Sequence, residues 1–148
     1  MAISSRREDW PERLADKLRE WRERSFQWGT ADCMQFTTDI VQAMTERDIT
    51  YQPRWKYSTE FGGLKAIRER YEIEFGMPDR PLEPREYLAA LVTRKLGVPV
   101  HPNFAQRGDV LMHGNNLGIC SGSVGVFRAH EGLVYINLAD CSKAWKVD

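Results

Sequence analysis

The stretch that decides the fold reads Phe26-Gln27-Trp28-Gly29-Thr30-Ala31-Asp32-Cys33, and a helical pattern follows it as far as Met44. Thr30 or Asp32 can cap this helix, because short polar side chains are preferred at the N-cap. Cys33 then lies in the first helical turn. There the unpaired backbone N–H groups and the helix dipole favour a thiolate over a thiol. The pattern therefore marks Cys33 as the candidate nucleophile of this chain.

The composition argues against several classes of function. The 148 residues carry 21 basic and 21 acidic side chains, so net charge gives no reason to expect nucleic acid as a partner. The three cysteines, Cys33, Cys120 and Cys141, form no CxxC pair. We therefore expect no cofactor and no metal, since a shared metal site would need a ligand from a partner chain. The sequence shows neither a signal peptide nor a run long enough for membrane insertion.

Helical periodicity covers the first two-thirds of the chain. The first helix begins near a cap at Asp9 and has Pro11 in its first turn. Its apolar stripe is Trp10, Leu14, Leu18 and Trp21. Three more helices are predicted, over residues 32–44, 59–71 and 84–96, with Gly97 ending the last. The pair Gly62-Gly63 weakens the third prediction, and residues 48–57 are typical of a loop.

The pattern changes after Pro102 to short strand-like runs separated by glycine-containing turns. The runs cover residues 109–112, 117–120, 123–127 and 133–138. Helices followed by an antiparallel meander are typical of the α+β class. We predict one domain over residues 1–148, with a helical part at about 8–97 and a sheet part at about 107–147. The helix of Cys33 should pack across that sheet.

Several motifs give the chain a resemblance to known families. They are Trp10-Pro11-Glu12-Arg13-Leu14, Phe26-Gln27-Trp28-Gly29, Asp32-Cys33, Arg107-Gly108-Asp109-Val110, Leu117-Gly118-Ile119-Cys120 and Ala144-Trp145. The order Asp-Cys, Gly-Asp and Leu-Gly-Ile resembles the NlpC-type cell-wall cysteine peptidases. More closely, the set resembles uncharacterised phage and prophage proteins encoded among tail genes.

The resemblance has implications for fold, location and partners. It implies a papain-like (NlpC-like) core, with the N-terminal helices packed on the C-terminal antiparallel sheet. It also implies a place in the virion, at the tail tip, after assembly in the host cytoplasm. The implied partners are other tail-tip proteins, such as a hub or a distal tail protein, with peptidoglycan as a further partner if the site is active.

The catalytic positions can be compared one by one. A cysteine peptidase needs a thiolate, a histidine that exchanges a proton with it and a polar group that orients the histidine. Cys33 matches the nucleophile, although a cysteine at a helix start can also be a small buried residue. The His-Val-Gly-Ile motif of the NlpC-type enzymes falls on Asn116-Leu117-Gly118-Ile119. Asn116 therefore occupies the position of the base, and an amide does not titrate near neutral pH.

Three other residues are candidates for the site. His113 could replace the base, or its side chain could face outward from its strand. His130 lies near the orienting position, or it is an exposed hairpin residue. Gln27 precedes Cys33 by six residues, the spacing of an oxyanion-stabilising glutamine in papain-like enzymes, or it is an exposed polar residue. His101, in a linker between prolines, is the weakest candidate.

Two functions remain open at this point. The first is a structural or assembly component of a phage tail tip or baseplate, with a degenerate cysteine-peptidase site. The second is an active cysteine peptidase or amidase that cleaves peptidoglycan stem peptides during phage entry. A histidine nitrogen within hydrogen-bonding distance of the Cys33 sulfur would favour the enzyme.

Overall fold

The chain folds into four helices followed by a five-stranded antiparallel sheet. The computed structural model describes residues 6–28, 32–47, 49 and 57–148. The helices are α1 (Trp10–Glu23), α2 (Cys33–Thr45), α3 (Glu60–Phe75) and α4 (Pro84–Leu96). The strands are β1 (Val110–His113), β2 (Asn116–Cys120), β3 (Val124–Ala129), β4 (Gly132–Asn137) and β5 (Lys143–Trp145). They are arranged in the order β4-β3-β2-β1-β5, which confirms the predicted α+β class.

Helix α1 buries the predicted stripe to different degrees. Leu14 and Trp21 are fully buried, whereas Trp10 and Leu18 are partly buried against the same core. Asp9 does precede the helix, but its side chain makes no cap hydrogen bond. Its carboxylate instead accepts a hydrogen bond from Arg13 Nε at 2.9 Å, so Asp9 occupies the predicted N-cap position without a side-chain cap hydrogen bond.

Helix α2 begins at Cys33 because Asp32 caps it. The Asp32 carboxylate accepts a hydrogen bond from the backbone N–H of Gln35 at 3.0 Å, which satisfies one of the unpaired N–H groups of the first turn. The alternative cap, Thr30, lies outside the described residues. Phe36 and Ile40 are fully buried, and α2 packs against β2 and β3. The prediction that the Cys33 helix packs on the sheet is therefore confirmed.

Helices α3 and α4 follow the predicted pattern closely. Helix α4 has the predicted bounds, and α3 extends about one turn past its predicted end to Phe75. The two glycines do not disrupt α3. A Cβ on Gly63 would lie 3.1 Å from the Tyr57 ring, so the missing side chain lets that ring pack against the helix. Most of the predicted loop 48–57 lies outside the described residues. In the described part of the chain, no helix has the length and apolarity needed to cross a bilayer.

The sheet has an apolar cluster on each face. The face toward the helices carries Val110, Met112, Leu117, Ile119 and Val126. The other face carries Leu111, Phe127, Cys120 and Ala144 in a second cluster. Strand β5 was not among the predicted runs and pairs with β1 at the edge of the sheet.

Close packing between β2 and β3 explains the glycine of the Leu-Gly-Ile motif. Gly118 pairs with Phe127 across the two strands. A Cβ at position 118 would lie only 2.5 Å from both the Phe127 ring and the Val126 carbonyl oxygen. Any larger residue would therefore push the strands apart just beside Asn116.

The carboxylate of Asp109 joins the two ends of the chain to the start of β1. This side chain is fully buried. Its Oδ1 accepts hydrogen bonds from Arg6 Nη2 and from the Val147 backbone N–H, both at 3.0 Å. Its Oδ2 accepts the backbone N–H of Gln106 at 2.8 Å and lies 2.7 Å from Lys146 Nζ. We call this group the Asp109 clasp.

Gly108 is required beside the Asp109 clasp for two reasons. Its φ of +93° is a backbone conformation that residues with a side chain rarely adopt. A Cβ here would also lie 2.9 Å from Arg6 Nη1. The Gly-Asp motif thus has a structural explanation in which the glycine makes room for the arginine that binds the aspartate.

We predict that Asp109→Ala lowers the free energy of unfolding by about 3–5 kcal/mol, because it leaves buried charges and N–H groups without their acceptor. Urea denaturation measures the change. Asp16→Ala is the control, since it also removes an aspartate that pairs with an arginine, but both of those side chains are exposed. Equal, small effects of the two substitutions would show that the Asp109 clasp does not hold the fold together.

Candidate functional site

The sulfur of Cys33 lies beside an amide. Cys33 is the first residue of α2 and is half-buried. Its thiol donates a hydrogen bond to Asn116 Oδ1 at 3.5 Å, and Asn116 is the first residue of β2. The packing of α2 on β2 thus brings together the two positions that sequence reasoning assigned to the nucleophile and the base.

The surroundings of Cys33 favour the neutral thiol. Burial raises its pKa from an ordinary 9.0 to about 12, and the negative charge of Asp32 acts in the same direction. The backbone N–H groups of Leu117, Cys33 and Met34 lower the pKa, but burial outweighs them. The helix N-terminus is therefore present as predicted, yet it does not produce a thiolate at neutral pH.

A half-buried tyrosine supports the start of α2. The Tyr57 hydroxyl donates a hydrogen bond of 2.6 Å to Asp32, whose side chain is 1% exposed. Burial raises the pKa of Tyr57, and the Asp32 charge raises it further. Sequence reasoning missed Tyr57, since it lies 25 residues from Asp32 and no local pattern links the two. The sequence offered one indication, because Tyr57 shortly precedes Gly62-Gly63, whose small size leaves room for its ring.

Cys33 opens onto a cleft of about 430 Å³. Its walls include two of the three histidines, together with apolar side chains of the sheet, and are formed by Phe26, Trp28, Cys33, Glu60, His113, Asn116, Phe127, Arg128, Ala129, His130, Glu131, Val134 and Ile136. The structure therefore brings Cys33, His113 and His130 to one cleft, as the sequence-based candidates required. It also adds aromatic and arginine side chains that the sequence did not single out for the site.

The two histidines of the cleft contact aromatic rings rather than the sulfur of Cys33. His113 is half-buried at the end of β1, with its ring centroid 6.0 Å from that of Phe127. His130 is exposed and stacks on Phe26 with a centroid distance of 4.0 Å. All three histidines belong to the described residues, and none of them hydrogen-bonds Cys33.

The two remaining candidates lie elsewhere. Gln27 is exposed and is not among the described residues that line the cleft. His101 accepts a hydrogen bond from the backbone N–H of Asn103 at 3.1 Å, where it begins a short 3₁₀ helix, Pro102–Phe104. The described geometry gives neither residue a contact with the sulfur of Cys33.

The other two cysteines are structural in their placement. Cys120 and Cys141 are buried in the cluster on the sheet face away from the helices. Burial raises the pKa of both thiols, in the case of Cys141 to about 11. Within the described ranges, no group of three or more His, Cys, Asp or Glu side chains could hold a metal ion.

Comparison with known proteins gives one match. A family model described as "Domain of unknown function (DUF6950)" matches residues 5–147. The chain belongs to this family. No curated protein and no solved structure matches the chain. The matched region includes Cys33 and Asn116 as well as Arg6 and Val147, which bind Asp109 at the two ends of the chain.

We predict that Asp32→Asn lowers the pKa of Cys33 but leaves it above 9.0, since asparagine keeps the cap while the charge is lost and the larger effect of burial remains. The measurement is the rate of alkylation by iodoacetamide at mildly alkaline pH, with the labelled cysteine identified by mass spectrometry. Each unit of pKa lost should raise the rate about tenfold. Cys141 in the same sample is the control, and an unchanged rate at Cys33 would contradict the assigned effect of Asp32.

Proposed function

We propose that this protein is a papain-like domain of the NlpC type that has lost its catalytic base. We further propose that it acts as a structural or assembly component of a phage tail tip or baseplate. Its partners would be other tail-tip proteins, such as a hub or a distal tail protein, and its final location the virion after assembly in the host cytoplasm. The observation that carries the proposal is the hydrogen bond from the Cys33 thiol to Asn116 Oδ1.

The chemistry of that hydrogen bond argues against turnover. An amide oxygen accepts a hydrogen bond from a thiol but cannot take up its proton. Because burial raises the pKa of Cys33 well above neutral pH, its sulfur is held as the thiol there. Loss of a general base typically lowers the rate by several orders of magnitude. The arrangement therefore favours a function that does not depend on catalysis.

The architecture around Cys33 supports a papain-like origin. A cysteine at the N-terminus of a helix packs against an antiparallel sheet, and the residue aligned with the base begins a neighbouring strand. The other motifs of the resemblance have packing roles. Asp109 forms the clasp, Gly118 makes room for Phe127, and Trp145 is fully buried with its indole N–H bonded to Thr93 Oγ1 at 3.0 Å. These roles would preserve a shape after the catalytic chemistry was lost.

The exposed surface offers apolar side chains for contacts within a particle. Phe61, Met77, Val98 and Phe104 are each at least 70% exposed. Large exposed apolar groups are typical of protein interfaces when they are grouped. In a particle, neighbouring tail proteins would cover such side chains.

One observation favours the second candidate, an active cysteine peptidase or amidase acting on peptidoglycan stem peptides. His113 and His130 line the same cleft as Cys33. Catalytic hydrogen bonds are often long in the absence of substrate and shorten when substrate binds. A rotation of His113 toward the sulfur would then supply the base that Asn116 does not.

The two candidate functions predict different phenotypes for mutants of a phage that carries this gene. We predict that Cys33→Ala phage assembles normal tails and infects its host normally, because the thiol has no catalytic partner. Deletion of the gene is the control and should yield particles without a complete tail tip. Electron microscopy, plaque counts and detection of the protein in purified virions measure these outcomes.

The opposite pattern would support the enzyme. If Cys33→Ala phage had intact tails but lost infectivity, and the purified wild-type protein cleaved peptidoglycan, the structural proposal would be wrong. Normal assembly of the deletion phage would contradict the assembly role independently of any cleavage.

A further inference from the structure

Arg128 is a buried arginine that keeps most of its hydrogen-bond donors unused. It lies on β3 and is only 4% exposed. Its Nη2 donates to the backbone carbonyl of Arg24 at 2.6 Å. Its Nε and Nη1 are buried and have no hydrogen-bond partner. Leaving such charged donors unsatisfied inside a protein is costly, so this guanidinium calls for an explanation.

The surroundings of Arg128 do not neutralise it. Burial lowers its pKa, and the neighbouring positive charge of Arg24 lowers it further. The charged end of Arg128 lies over the Phe26 ring, with 6.0 Å between Cζ and the ring centroid. An aromatic face attracts a cation but accepts no proper hydrogen bond from three N–H groups.

A hollow of about 440 Å³ lies next to Arg128, between the end of α1 and the turn that joins β3 to β4. Arg22, Arg24 and Arg128 line it together with His130, and Glu131 is the one carboxylate among its described lining residues. Three arginines around one small hollow give it a positive potential. The unused donors and this potential both indicate an anionic ligand.

We propose that this hollow binds a carboxylate group and that Arg128 is its anchor. Nη2 has two hydrogens and uses one of them for Arg24. Whichever one it uses, one edge of the guanidinium keeps two parallel N–H groups, which match the two oxygens of a carboxylate. Both unused nitrogens are covered by protein atoms. Access of the ligand therefore requires a rotamer change in one of the side chains that line the hollow.

The ligand of this hollow is a carboxylate from a protein chain, either a C-terminus or an acidic side chain. The hollow and the cleft of Cys33 share Phe26, Arg128 and His130 in their walls. A chain anchored at Arg128 could therefore extend over the apolar side chains of the cleft. The assignment does not depend on the reactivity of Cys33 or on a place in a phage tail.

The test replaces chloride by acetate at constant ionic strength and measures the thermal stability of the wild type and of Arg128→Met. A ligand that binds only the folded state should lower the unfolding equilibrium constant about tenfold for each tenfold rise in its concentration above Kd. We expect acetate to raise the thermal stability of the wild type in this way and not that of Arg128→Met. Arg19→Met, which removes an exposed arginine from α1, should behave like the wild type.

Two further measurements identify the source of the carboxylate and test the site even if Arg128→Met does not fold. N-acetylglycine mimics a C-terminus, and N-acetylaspartate amide mimics an acidic side chain. The compound that binds with the lower Kd identifies the source. The NMR signal of the Arg128 Nε–H in the wild type should shift as acetate is added, whether or not Arg128→Met folds. The proposal would be overturned if the NMR signal did not shift or if acetate stabilised Arg128→Met as much as the wild type. It would also be overturned if phosphate stabilised the wild type and acetate did not.

Discussion

The Asp109 clasp is the interaction on which the rest of the structure depends. One buried carboxylate binds Arg6 near the N-terminus and Lys146 and Val147 near the C-terminus. It does so at the residue before β1, the strand that pairs with both β2 and β5. Residues near the two ends of the chain are therefore fixed to the start of β1 by polar contacts to a buried carboxylate.

The candidate site depends on this constraint through the hairpin of β1 and β2. The pairing of these strands places His113 opposite Asn116 at the turn. Close packing at Gly118 keeps β2 against β3, and α2 packs on both. Asn116 is held in this way against the sulfur of Cys33, while Asp32 and Tyr57 hold the start of the helix. This frame places an amide, which does not titrate near neutral pH, against the sulfur of Cys33.

Much of the fold could be predicted from the sequence because its signals are local. The periodicity of apolar residues and the capping residues located α2 and α4 to within a residue or two. The α3 prediction was too cautious about Gly62-Gly63, because the ring that packs against them comes from Tyr57, outside the helix. Strand β5 was missed, since three residues are too few to show a period of two.

The site was predictable only in part, for a related reason. Cys33 and Asn116 could be paired through motifs, and the structure places them in contact. Asp9 lies at the predicted N-cap, but its carboxylate binds the Arg13 side chain and makes no cap hydrogen bond. The contact of Arg128 with Arg24 and that of Arg6 with Asp109 were not identified, because they span 104 and 103 residues and follow no sequence spacing. Such long-range polar contacts become visible only when the chain is folded.

The central claim is that a single residue, Asn116, separates this site from a cysteine nucleophile. The most direct measurement is the pH dependence of Cys33 alkylation in Asn116→His, with Asn116→Gln as the control that cannot titrate. The imidazole Nδ1 is as many bonds from the backbone as the amide oxygen that now meets the sulfur, so it can form a thiolate–imidazolium pair. The account predicts that Asn116→His alkylates rapidly near neutral pH while the wild type and Asn116→Gln remain slow. Rapid alkylation of the wild type near neutral pH, or no change in Asn116→His, would contradict it.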